Sequence, residues 1–157
     1  MSKRHGEAFS DAAVTAFVVA GLVLPLLKPG ARQRVRVLRT LETLALGKLV
    51  GTALKSTVPE RRPDSLEQNS FPSNHTLNAM AVASVAATFA SKQSPVWYGG
   101  ALLIGASRLL LRRHRTRDVL AGAGLGYVLA RLELSRRRGF LLPTLSKRLK
   151  DACAQRR

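Results

Sequence analysis

Two histidines and a group of basic side chains are the residues of this sequence best suited to chemistry. His114 and Asp118 stand four residues apart, which is one helical turn, so the carboxylate is expected to orient the imidazole and stabilise its positive charge. His75 offers a second acid or base. Three cations of the kind that hold phosphate accompany the histidines: Lys55, Arg62 and Arg108. Phosphoryl transfer depends mainly on charge stabilisation and positioning, so this combination predicts a phosphoryl-transfer site.

The residues just before His75 add a second feature that binds anions. Ser73 and Asn74 lie where a predicted helix begins, and the first backbone N–H groups of a helix are a ready anion site. The sequence has no cluster of Asp and Glu that could hold a divalent cation. We therefore expect a reaction that needs neither metal nor cofactor. We also expect His114 to lie at the solvent-exposed edge of a loop.

Apolar segments of roughly membrane-spanning length must position these side chains. Five such segments are predicted to be helices: Ala8–Leu27, Val37–Leu54, Thr76–Ala90, Val96–Leu111 and Val119–Leu134. They predict an all-α fold, a polytopic transmembrane bundle of about five spans that forms one domain over residues 1–157. Charges within the second segment, Glu42 and Lys48, are expected to face the bundle interior. Close packing of the last helix is expected at three small residues, Gly122, Gly124 and Gly126.

The connections between these segments bring the reactive residues to one side of the bundle. The polar segment 55–74 contains three prolines and is predicted to be a functional loop. From it the chain crosses once through Thr76–Ala90 and returns through Val96–Leu111, which leads to Ser107, Arg108, His114 and Asp118. The residues that carry chemistry therefore lie within a core of 55–118 and can form a single site.

The charge of the chain indicates the kind of surface that it meets. There are 26 Lys and Arg against 9 Asp and Glu, a net charge of +17. The basic residues flank apolar segments and have few aromatic neighbours for base stacking, so anionic lipid headgroups are the expected partner and nucleic acid is not. A basic tail is predicted over 135–157. Its cysteine, Cys153, stands alone and excludes an intrachain disulfide. No cleavable signal peptide is expected.

Ten of these residues follow a known pattern in order and spacing. The pattern reads K-x6-RP, PSxH and SR-x5-H-x3-D, and it resembles the type 2 phosphatidic acid phosphatase (PAP2) superfamily, which includes bacterial lipid phosphatases, glucose-6-phosphatase and the vanadium haloperoxidases. The matching residues are Lys55, Arg62, Pro63, Pro72, Ser73, His75, Ser107, Arg108, His114 and Asp118. One position departs from the pattern, because Asn74 stands where Gly is usual. Asn tolerates a left-handed backbone, so the loop is expected to keep its shape.

The resemblance implies a role for each residue of the site. His114 would attack phosphorus and form a phosphohistidine, Asp118 would orient His114, and His75 would protonate the leaving oxygen. The phosphate would be bound by Lys55, Arg62, Ser73, Asn74 and Arg108. The implied substrates are lipid phosphates: a polyprenyl phosphate or pyrophosphate, phosphatidylglycerol phosphate, phosphatidic acid or, because Arg outnumbers Lys, decaprenylphosphoryl-phosphoribose, a mycobacterial-type cell-wall precursor.

The resemblance also implies a place in the cell and leaves two alternatives open. The expected location is the inner or plasma membrane, crossed several times. More Lys and Arg fall on the face opposite the site, so the positive-inside rule places the site outside the cytoplasm. One alternative is a catalytically silent membrane partner that has kept the fold. The other is a relative of the vanadate-dependent haloperoxidases, which the apolar spans disfavour. The oligomeric state is not determined by the sequence.

Overall fold

The chain folds into five α-helices in the computed structural model, which describes residues 3–27 and 30–136. The helices are α1 (Lys3–Val23), α2 (Ala31–Thr57), α3 (Asn74–Phe89), α4 (Ser94–Leu110) and α5 (Thr116–Ser135), with short 3-10 turns at Leu24–Leu27 and Ser91–Gln93. The described residues contain no β-strand, so the all-α prediction is confirmed. Nearly all of the predicted basic tail, including Cys153, lies outside the described residues.

Helix α3 is the centre of the bundle and packs against each of the other four helices. Its residues from Leu77 to Ala86 are buried except Asn78, and the buried ones are Ala, Val, Met, Ser and Leu with no charge among them. A helix that is apolar on every face is stable only when it is covered on every face. The small side chains let the neighbouring helices approach closely enough to cover it.

Helix α5 lies against the first turns of α3 through two glycines. A Cβ atom on Gly122 would lie 2.5 Å from the carbonyl oxygen of Ser73, and one on Gly126 would collide with the carbonyl oxygen of Leu77. Only glycine permits this approach, which sets the beginning of α5 beside the beginning of α3. The prediction of close packing is thus confirmed at these two positions. It is wrong at Gly124, where a Cβ atom would meet nothing.

Large apolar side chains are exposed on the outer surface of the bundle, among them Phe9, Leu49, Leu103 and Leu120. One segment of the described chain, His5–Leu27, is long and apolar enough to cross a membrane, and 22% of its most apolar window is buried. The five predicted helices therefore exist, but five spans are not confirmed. Helix α2 carries several charges, and α3 and α4 are short for a membrane span, with 16 and 17 residues.

A buried polar network joins α2 to α5 at the end of the bundle where α2 begins. The guanidinium of Arg39 donates to Glu133 Oε1 at 2.5 Å and to the carbonyl oxygens of Glu133 and Arg136. Glu42 lies 4.0 Å from the same guanidinium. Glu42 faces the interior as predicted, whereas Lys48 is exposed and does not.

Candidate active site

The residues of the three motifs K-x6-RP, PSxH and SR-x5-H-x3-D meet at one end of the bundle. They come from the end of α2, the loop 58–73, the first turn of α3, the end of α4 and the turn before α5. Backbone contacts tie these parts together, since the N–H of Ser73 donates to the carbonyl oxygen of Asp118 at 3.0 Å. The prediction of a single one-sided site is confirmed by this arrangement.

His114 and Asp118 are connected through a third side chain, Ser70. The Ser70 hydroxyl donates to Asp118 Oδ2 at 2.5 Å and lies 3.4 Å from His114 Nδ1. The direct separation of His114 Nδ1 and Asp118 Oδ2 is 3.8 Å, too long for a hydrogen bond. The carboxylate therefore reaches the imidazole by way of a hydroxyl. Sequence reasoning missed Ser70, although it stands only two residues before the PSxH motif.

The predicted helical turn between His114 and Asp118 is not formed, because α5 begins at Thr116 and His114 lies in the preceding turn. Asp118 instead caps the helix: its Oδ2 accepts the backbone N–H of Arg115 at 2.9 Å. The carboxylate is completely buried and His114 is only 4% exposed. The expectation that His114 lies at a solvent-exposed loop edge is therefore wrong.

Burial and neighbouring cations keep the His114 imidazole neutral. The pKa of His114 is lowered from 6.5 to about 4, chiefly by desolvation and to a lesser extent by Arg62, Arg108 and Lys55, while Asp118 acts in the opposite direction. All three cations among the predicted phosphate ligands thus lie close enough to act on the same ring. A neutral imidazole has a free lone pair at neutral pH, which is the state a nucleophile needs.

The cations of the site are held in place by oxygen atoms of the loop 58–73. The Lys55 ammonium donates to the carbonyl oxygen of Pro72 at 2.9 Å and to that of Asn69. Arg62 Nε donates to Asn69 Oδ1 at 2.7 Å and pairs with Glu67 at 3.0 Å. Desolvation and, to a lesser extent, Arg62 lower the pKa of Lys55 to about 8, so it remains a cation at neutral pH.

The N-terminus of α3 carries His75 in its first turn and has no side-chain cap. Ser73 is fully buried, and its hydroxyl accepts from Thr76 at 3.1 Å instead of capping the helix. Asn74 is the first residue of α3, and it is not among the described residues with positive φ, which apart from glycine are limited to Arg112. Asn74 therefore needs no left-handed backbone, and its amide lies against Gly51 of α2.

Helix α1 contributes a carboxylate that sequence reasoning did not assign to the site. Asp11 Oδ1 lies 2.9 Å from His75 Nε2 and 3.1 Å from Arg108 Nη1. Ser10, its neighbour, accepts from the same Nη1 at 2.9 Å and shares a hydrogen bond with Ser107. The signal was present in the sequence, because Asp11 is the only charge in the first apolar segment, and such charges mark functional sites.

The environment of His75 contains both signs of charge. Burial and Arg108 lower the pKa of His75 below 6.5, and Asp11 opposes them through its charge and its hydrogen bond. The ring is about a quarter exposed, in contrast to the enclosed His114. The two histidines therefore occupy different environments, as an acid and a nucleophile require.

An open cavity of about 530 Å³ adjoins these residues, between the loop 58–73 and the start of α5. It is lined by Arg61, Arg62, Leu66 and Arg115, among others. Such a mixture of cations and apolar atoms can receive an anionic group that is larger than phosphate alone. Within the described residues, no group of three or more His, Cys, Asp or Glu side chains is placed to hold a metal ion.

Comparison with known proteins gives two matches. The profile of the PAP2 superfamily matches residues 36–139. A lipid A 1-phosphatase of Porphyromonas gingivalis is 38% identical over 76 residues, a segment that covers 45% of this chain and 17% of the relative. The chain therefore corresponds to less than a fifth of that protein's length. No solved structure matches the chain.

Proposed function

The chain belongs to the PAP2 superfamily, and we propose that it is a membrane lipid phosphatase that works through a phosphohistidine at His114. The observation that carries the proposal is the environment of His114, in which burial and three cations keep the imidazole neutral near the carboxylate of Asp118. Two of these cations, Arg62 and Arg108, also act on His75. Cations that hold phosphate, a free lone pair and a proton donor are what phosphoryl transfer requires.

The attacking atom in this proposal is Nε2 of His114. Its Nδ1 faces the hydroxyl of Ser70, whose own proton is donated to Asp118. The Ser70 oxygen can accept a hydrogen bond from an N–H group at Nδ1. This favours the tautomer that carries its proton on Nδ1 and its lone pair on Nε2. Asp118 stabilises the positive charge that the ring gains when the bond from Nε2 to phosphorus forms.

His75 is the proposed acid for the leaving oxygen. As the bond from phosphorus to the lipid oxygen breaks, the protonated ring gives its proton to that oxygen. Asp11 holds the ring by its hydrogen bond and favours the protonated form. A water molecule then attacks phosphorus, His75 takes up a proton from it, and the bond to His114 breaks to release inorganic phosphate.

Phosphate binding is proposed for Lys55, Arg62, Arg108 and the first turn of α3 with Ser73 and Asn74. Arg108 supports this role because it is 2% exposed and its Nε has no hydrogen-bond partner within the described chain. The N–H groups at the uncapped start of α3 add donors for the oxygens that gain charge in the transition state. No step of this mechanism involves a metal ion.

The proposed substrates are lipids with a phosphomonoester or pyrophosphate group. The candidates remain polyprenyl phosphates, decaprenylphosphoryl-phosphoribose, phosphatidylglycerol phosphate and phosphatidic acid, and the name of the relative adds the 1-phosphate of lipid A. Exposed apolar side chains around the bundle and the apolar segment His5–Leu27 support a membrane location. In the proposed topology the site faces away from the cytoplasm.

Phosphate release from a panel of these lipids, by purified protein in detergent, tests the activity. We expect turnover of at least one lipid phosphate at a rate that excess EDTA leaves unchanged. Absence of turnover with every member of the panel would contradict an enzyme and favour a silent membrane partner. Loss of activity in EDTA, restored by magnesium, would contradict the metal-free mechanism alone.

The orientation has a separate test. A cysteine placed at Glu67, which is 57% exposed, is introduced in a Cys153→Ser background. We expect it to react with a membrane-impermeant reagent in intact cells. Reaction only after the membrane is opened would place the site in the cytoplasm.

A further inference from the structure

A second cavity lies at the other end of the bundle, where α2 begins. Its volume is about 320 Å³. Its walls come from the 3-10 turn after α1, the first turns of α2, the end of α3 and the start of α4. The apolar part of the lining includes Leu24, Leu27, Phe89 and Trp97, and the polar part includes Gln33 and Arg36.

Arg36 is a buried cation with two guanidinium nitrogens that find no hydrogen-bond partner among the described residues. The side chain lies over the ring of Trp97 at 5.6 Å, and the residue is 6% exposed. Its Nε and Nη2 atoms have no hydrogen-bond partner within the described chain, and the Oε1 atom of Gln33 beside it has none either. Stacking on the indole ring offsets part of the cost of burial, but it leaves these polar atoms unpaired.

The nearby carboxylates do not neutralise this arginine. Glu133 and Glu42 both lie next to Arg39, one turn further along α2, and Glu133 accepts two hydrogen bonds from it. A buried guanidinium with unpaired donors is costly in the absence of an acceptor. Its planar fork matches two oxygens of a phosphate or carboxylate group.

We propose that this cavity is a second anion site, in which Arg36 and the amide of Gln33 bind a phosphate group and the walls of Leu24, Leu27 and Trp97 contact the chains that carry it. The chemistry fits the headgroup of an anionic phospholipid, and it is shared with free phosphate. The amide of Gln33 can turn its NH₂ group toward the anion, since the O and N atoms of an amide exchange places by rotation.

This site is separate from the catalytic one. Arg36 and Lys55 lie on the same helix and are 19 residues apart, which corresponds to about 28 Å at the rise of an α-helix. That separation is close to the thickness of the hydrocarbon layer of a bilayer, about 30 Å. The two anion sites would thus face opposite headgroup layers, and a ligand in one would not reach the other.

The single tryptophan of the chain provides a local readout, because Trp97 forms a wall of the cavity. Purified protein in neutral detergent is titrated with dihexanoyl-phosphatidylglycerol, with inorganic phosphate and with dihexanoylglycerol. The first has a phosphodiester and chains, the second only the anion and the third only the chains. Phosphatidylglycerol has no terminal phosphate, so the proposed reaction does not consume it.

We expect a saturable change of Trp97 fluorescence with phosphatidylglycerol and no comparable change with dihexanoylglycerol. Arg36→Gln should weaken the apparent affinity by about tenfold or more, as expected for the loss of charged hydrogen bonds, and Arg36→Lys should lie between the two. Gln33→Leu leaves Arg36 and Trp97 in place and should weaken binding by about threefold, the loss of one neutral hydrogen bond. Arg34→Gln is the matched control, because Arg34 is exposed on the same helix and does not line the cavity.

The results with inorganic phosphate identify the source of the anion. A response as strong as that to phosphatidylglycerol means that the site binds free phosphate, and a much weaker response means that it binds a lipid. The proposal is overturned if wild-type protein shows no saturable response to either anion, a result that does not depend on how any variant folds. It is also overturned if dihexanoylglycerol acts as strongly as phosphatidylglycerol, or if Arg34→Gln weakens binding as much as Arg36→Gln.

Discussion

The two ends of the bundle differ in how their positively charged side chains are paired. At the end that holds the histidines, the cations are paired with acids or with loop oxygens, and six of the nine Asp and Glu residues of the chain are found there: Glu7, Asp11, Glu60, Asp64, Glu67 and Asp118. At the other end, Glu133 and Glu42 lie next to Arg39, while Arg36 pairs with no acid among the described residues.

The difference shows what pairing does for a phosphate site. Arg113 contacts Asp64 at 3.1 Å and Glu7 at 3.6 Å, and Arg108 contacts Asp11. Such contacts fix the long side chains before a substrate arrives, which lowers the cost of ordering them on binding. Around His114, three cations lower the pKa of the imidazole in addition to burial, and Asp118 opposes them. In the proposed mechanism, the paired cations of the first end serve turnover. The network of Arg39 and Glu133 at the second end contributes to stability instead.

The largest expected effect on this comparison comes from His114→Ala. Removal of the nucleophile should reduce phosphate release by about 10³-fold or more, and the phosphorylated intermediate, acid-labile as a phosphohistidine is, should no longer be trapped. Because the ring is buried, its removal also leaves a cavity that should lower the thermal midpoint, so turnover is compared at a temperature below the midpoint of the variant. His5→Ala is the control, since His5 is exposed on α1. Near wild-type turnover of His114→Ala would remove the catalytic assignment of this end.

Glu133→Ala tests the second end. The substitution leaves the buried guanidinium of Arg39 without its carboxylate, which should cost about 3 kcal/mol. This corresponds to a fall of roughly 6–12 °C in the thermal midpoint of the detergent-solubilised protein. Phosphate release below the midpoint should stay near the wild-type rate. Arg131→Gln on the exposed face of α5 should leave the midpoint unchanged. If Glu133→Ala lost turnover and kept its thermal midpoint, the second end would act in the reaction and not in stability, which would contradict the proposed difference between the two ends.

Ser70→Ala sharpens the description of the first end. The substitution removes the hydroxyl between His114 and Asp118, so we expect kcat to fall by about tenfold, within the range of a lost positioning hydrogen bond, with KM nearly unchanged. Ser84→Ala is a matched control, because Ser84 is equally buried on α3 and bonds only to the carbonyl oxygen of Met80. Equal kinetics for Ser70→Ala and wild type would mean that Asp118 acts on His114 without the hydroxyl.

Among the variants at the first end, Asp11→Asn should change turnover least, and its effect should be seen in the dependence of kcat/KM on pH. The mechanism needs His114 neutral and His75 protonated, so the profile of kcat/KM against pH should rise near pH 4, the pKa of His114, and fall as His75 loses its proton below pH 6.5. Asp11 raises the pKa of His75, and its loss should therefore move the alkaline limb to lower pH and reduce turnover at pH 7 by several-fold.

The control for this profile is Glu7→Gln, one turn away on α1. Glu7 pairs with Arg113 and does not contact His75, so its loss should leave the alkaline limb in place. If the alkaline limb of the kcat/KM profile of Asp11→Asn fell at the same pH as in the wild type, the carboxylate would not act on His75.

The sequence by itself determined the reactive residues and the helices that carry them. Spacing within short motifs is local information, so Lys55, Arg62, His75, Arg108, His114 and Asp118 could be named from it. Runs of apolar residues gave five helices near their observed bounds. The path of the chain through those helices placed the motifs at one end.

The tertiary structure decided which side chains touch. Ser70 lies 48 residues from Asp118, and Asp11 lies 64 residues from His75, so their contacts depend on how α1, α3 and α5 pack. The packing in turn depends on the backbone approach at Gly122 and Gly126. It also buries His114, and at the other end it leaves Arg36 facing a cavity without an acid. Contacts of this kind arise from distances of a few ångströms between segments far apart in the chain, which no motif or periodicity records.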